Sequence, residues 1–182
     1  MAANEIGKRT DWGSSASNVG EIRAHHNLLL EAGKGVREHC EKITDAADKM
    51  KLIEPLLTSD EQGRLNAIHD DLKPTTNAAM LAAAARGELH SAKSTNIEAL
   101  RYACSMFQGA LGEYSYDPER FDYIIQQAEE LESAIPKKVA GLTRSLEAAR
   151  EGAQFLGEKK DSILEVSKAL AQTLSEKQTR DR

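Results

Sequence analysis

The chain has 182 residues, of which 40% are hydrophobic and only 4% aromatic, and it carries a net charge of −5. That length suits one domain, and the negative charge disfavours nonspecific binding to nucleic acid. Alanine, leucine, glutamate and lysine, the strong helix formers, dominate the composition, so the expected class is all-α.

Residues 1–17 read as a polar arm, with Gly7, Gly13, Ser14, Ser15 and Ser17. The only tryptophan, Trp12, sits in this arm, either folded back on the rest of the chain or as an anchor for a partner's pocket. The arm lacks the apolar run of an export signal. The expected location is therefore the cytoplasm or the interior of a macromolecular assembly.

Residues 18–176 read as a single helical-bundle domain. The first helix should open at Ser17 or Asn18 and run to Ile53, with Pro55 ending it. Ile22, Leu29, Val36, Ile43, Met50 and Leu57 recur every seventh position along it. Such a repeat predicts a helix packed along its length against another helix. One flank of the stripe is made of small residues, Ala32, Gly33, Cys40 and Ala47. Another helix can approach closely there, which makes these four candidate partner-binding residues. Gly33 and Gly35 each cost the helix about 1 kcal/mol relative to alanine, unless the helix bends there.

A short helix over 60–72 follows, with a capping box formed by Ser59 and Gln62. Pro74 restarts the chain, a second short helix covers 76–86, and Gly87 stops it. The run from Ala78 to Ala85 is the longest apolar stretch and is too short to span a bilayer. Ser94 or Thr95 should cap a further helix whose stripe is Ile97, Leu100, Cys104, Phe107 and Leu111, with Gly112 as its end. Tyr114 and Tyr116 lie in the next turn, as a candidate recognition loop or as a cover for the end of the core.

Asp117-Pro118 is a helix start, an aspartate cap followed by proline at the first helical position. From Phe121 the seven-residue stripe resumes through Ala128, Ile135, Leu142, Ala149, Leu156 and Ile163 to Leu170. Because its phase is kept across Pro136, one kinked helix is the preferred reading. Residues 113–135 carry a net −6 and residues 136–182 a net +3, ending in a basic tail at 177–182. The acidic segment is either a solvated face or a match for a basic partner.

No His-Glu-x-x-His, Cys-x-x-Cys, Gly-x-Ser-x-Gly or Glu-x-x-His motif occurs. His25 and His39, two heptads apart, would lie roughly 21 Å apart on one helix, too far to share a metal. Cys40 and Cys104 sit on apolar stripes and are expected to remain buried thiols. No catalytic residue, cofactor or metal is expected.

The sequence thus reads as an elongated helical bundle or coiled coil, with two long heptad helices joined by shorter ones. The expected role is that of a non-enzymatic structural or adaptor protein, self-associating or binding helical partners in a multi-subunit assembly such as a secretion apparatus or virion. The alternatives are a soluble helical protein that inserts into membranes, by pore formation or ejection, and a small acidic inhibitor or immunity protein.

Overall fold

A computed structural model describes residues 19–135 and 140–180. Among them the fold is all-helical and contains no strand. The six helices are α1 (19–32), α2 (Val36–Ile53), α3 (Ser59–Ser91), α4 (Ile97–Leu111), α5 (Pro118–Ala134) and α6 (Leu142–Arg180). A turn of 3₁₀ helix, Glu54–Leu56, links α2 to α3. Trp12 lies outside the described residues.

Side-chain pairings show that these helices form four rods. Along the first rod, α1 and α2, His25 bonds Thr173, His39 stacks on Phe155 and Lys42 pairs with Glu151. Residue numbers rise on one side as they fall on the other, so α1 and α2 run antiparallel to α6. By the same reasoning α3 runs against the first rod, where His26 meets Leu89 and Gly33 meets Arg86. It runs against α4 through Leu81 and Gly109, and against α5 through Arg64 and Glu130. Rod two is α3, rod three is α4 followed by α5, and rod four is α6. The direction alternates up, down, up, down. Rods adjacent in sequence pack on each other, and the first packs on the last. The 39 residues of α6 span roughly 58 Å at the helical rise.

Both heptad stripes are buried in this bundle. Ile22, Leu29, Val36, Ile43, Met50 and Leu57 are buried, as are Phe121, Ala128, Ile135, Leu142, Ala149, Leu156, Ile163 and Leu170. The stripes therefore face the chain's own core, not an outside partner.

Four local expectations are corrected. The first rod is not one helix: it opens into a turn at 33–35, where Gly35 adopts φ +87°. A left-handed residue cannot continue an α-helix, and only glycine takes that conformation without strain.

The second correction is that the chain does not restart at Pro74 or stop at Gly87. Both lie inside α3, which is 33 residues long. A proline ring keeps a helical φ and removes only one backbone donor. Burial of Leu65, Ile68, Leu72, Ala79, Ala82 and Leu89 along a continuous face offsets that loss.

Third, two caps fall elsewhere. The box that opens α3 is Thr58 with Glu61: Glu61 N–H donates to the Thr58 hydroxyl, and Thr58 N–H donates to the Glu61 carboxylate. Asn96, and neither Ser94 nor Thr95, caps α4 by accepting from Ala99 N–H.

Fourth, α5 and α6 are separate helices. Ile135 leaves the helical region at ψ 66°, as the residue before a proline is driven to do. Gly141, at φ +84°, precedes α6. Both the backbone N–H and the hydroxyl of Thr143 donate to the Glu132 carboxylate, at 2.8 and 2.9 Å, which satisfies free donors at the start of α6. Two starts and stops stand as expected: Asp117 caps α5 with Pro118 at its first position, and Gly112 closes α4.

Candidate functional site

Rod three is broken where α4 gives way to α5, and residues 112–117 turn there. Tyr114 drops from this turn into the middle of the bundle and is 7% exposed. Its hydroxyl donates to the Ala153 carbonyl at 2.8 Å and is bonded by the Thr75 side chain. Rods two, three and four thus meet at one tyrosine. Burial raises the pKa of Tyr114 well above that of an exposed phenol. The neutral hydroxyl is thus a structural bridge.

Tyr116 is half-buried and packs against Gly157 of α6, where an added Cβ would lie 2.8 Å from the Tyr116 Cβ. Its ring meets Phe121 at 5.9 Å. The Lys160 ammonium donates to the Tyr114 carbonyl and fixes the turn from outside. Of the two expectations for these tyrosines, a recognition loop or a cover for the end of the core, their packing matches the cover.

The small flank is also placed within the chain. Cys40 and Ala47 are buried, and Ala32 is partly buried. Gly33 lies under Arg86 of α3, whose Cδ would be 3.1 Å from an added Cβ. A close approach of two helices involves a residue the sequence reading missed. At Gly152 of α6, an added Cβ would come within van der Waals overlap of the His39 carbonyl oxygen of α2. The available signal was its place beside the stripe, one residue before Ala153 and three after Ala149.

The titratable groups singled out in the sequence are engaged across helices. His26 donates from Nε2 to the Leu89 carbonyl at 2.9 Å; its Nδ1 then accepts from the Ser94 hydroxyl at 2.9 Å. His39 donates from Nδ1 to the Gly35 carbonyl at 2.8 Å, and its ring stacks on Phe155 with centroids 3.8 Å apart. Burial raises the Cys40 thiol to about 12 and the Cys104 thiol to about 11. Both therefore remain protonated and weakly nucleophilic near neutral pH. Ser167, fully buried on α6, donates to the Cys104 carbonyl at 3.3 Å. Among the described residues, no three His, Cys, Asp or Glu side chains are grouped to hold a metal.

The described residues line hollows on the surface. One, of about 460 Å³, lies at the break in rod three, between Pro74 and Thr75 of α3 and Glu113, Tyr114 and Asp117. Another, of about 440 Å³, is a groove between α2 and α3, lined by Arg37, Cys40, Glu41, Thr44, Ala83, Ala84 and Gly87. On the surface α3 also exposes Met80 and Leu81, and α4 exposes Tyr102. Leu81 touches the α4 face that carries Gly109, and Tyr102 lies two turns along that face. From Met80 to Gly87 the exposed residues of α3 are thus Met80, Leu81, Ala84 and Gly87.

No family model, curated protein or solved structure matches this chain. Among the described residues, no helix is long and apolar enough to cross a membrane.

Proposed function

We propose that this chain is a non-enzymatic structural or adaptor protein that receives an amphipathic helix of another protein along the outer side of α3. It would act in the cytoplasm or within a multi-subunit assembly such as a secretion apparatus or virion. The observation that carries this reading is the exposed set of Met80, Leu81, Ala84 and Gly87 on α3, with Ala83 half-buried among them. Exposed contiguous apolar surface is a common mark of an interaction site, and small side chains let a second helix approach closely. In this reading the buried heptad stripes act as coiled-coil seams inside the bundle and stiffen the rod that presents these residues.

The test uses a photo-crosslinking residue at Ala84 in the intact chain, with Glu165 on the exposed side of α6 as the control position. The expected result is one helical protein captured from position 84 and not from 165, with capture lost when Gly87→Glu is added. Nothing lies within 4 Å of a Cβ added at Gly87, so this substitution leaves the fold intact. Capture of a second copy of the chain would make the role self-association. Equal capture from both positions, or none from position 84, would reject the reading.

A further inference from the structure

We draw no further inference here: the strongest candidate, the cleft at the break in rod three between Pro74 of α3 and the start of α5, presents Asp71, Glu113 and Asp117 as an acidic cluster, and no second observation in the structure points to a ligand for it.

Discussion

Single glycines in this bundle have opposite roles, and substitution separates them. Gly152→Ala places a methyl against the His39 carbonyl oxygen and beside Ile43, so α2 and α6 must move apart. Overpacking of this kind costs about 1–3 kcal/mol, against a gain of up to about 1 kcal/mol from helix propensity. Gly63 of α3 has nothing within 4 Å of an added Cβ, so Gly63→Ala should stabilise by about 0.5–1 kcal/mol. Urea denaturation of the two variants should therefore move the midpoint in opposite directions. The buried thiols give a second residue-scale prediction. Burial raises the folded pKa values of Cys40 and Cys104 to about 12 and about 11, from the ordinary thiol value of 9.0. Their stabilising contribution is complete below pH about 9 and is lost as pH rises through the folded values. Each thiol should add up to about 1.4 kcal/mol of destabilisation per pH unit in that window. Cys40→Ala should flatten the alkaline slope of unfolding free energy; an unchanged slope would mean that the thiol ionises while folded.

At the scale of the helix, Pro74 offers the sharpest test. The fold keeps α3 continuous through it, so Pro74→Ala restores one backbone donor without adding a new conformation. Helix content by circular dichroism should hold and the melting temperature should not fall. A loss of helix would show that the ring's packing, and not burial on either side, keeps α3 straight.

The same helix shows what was legible in the sequence. Leu65, Leu72 and Ala79 recur every seventh residue, and Ile68, Thr75, Ala82 and Leu89 form a second such row. All seven are buried. The repeat was present across Pro74, but the local breakers at 74 and 87 outweighed it in the sequence reading. In the folded chain tertiary burial overrides propensity. At Pro136 the error ran the other way. The stripe kept its phase from Ile135 to Leu142, yet the chain turns, because proline excludes the helical region for Ile135. Phase alone does not distinguish a continued helix from a hairpin whose two arms both face the core. The all-α class, the long terminal helix and the cap at Asp117 were legible because each rests on local chemistry. The pairing of Tyr114 with Thr75 and Ala153 was not, because it joins residues 39 apart in sequence.

For the whole molecule, four antiparallel rods predict cooperative unfolding with losses shared across the bundle. Ile43 and Leu156 are both fully buried, on rods one and four. Ile43→Ala and Leu156→Ala should each cost about 2–5 kcal/mol. A cost below about 0.5 kcal/mol at both would place those stripes in solvent. Circular dichroism of the intact chain should give a helix content well above the roughly one-third of ordinary globular domains. Surface ion pairs such as Arg37–Glu41 and Lys42–Glu151 are exposed. They should add little, about 0–1 kcal/mol each, and raised salt should leave the melting temperature nearly unchanged.

The two sealed sulfurs also make the chain its own clock. Cys40 belongs to rod one and Cys104 to rod three, and neither is accessible while the rods are closed. A thiol reagent therefore reacts at each only when its own helix opens. Mass-resolved labelling of the wild-type chain under native conditions would time those openings separately. Equal rates at the two sites would mean that the rods part as one body, and unequal rates would show which rod leaves first.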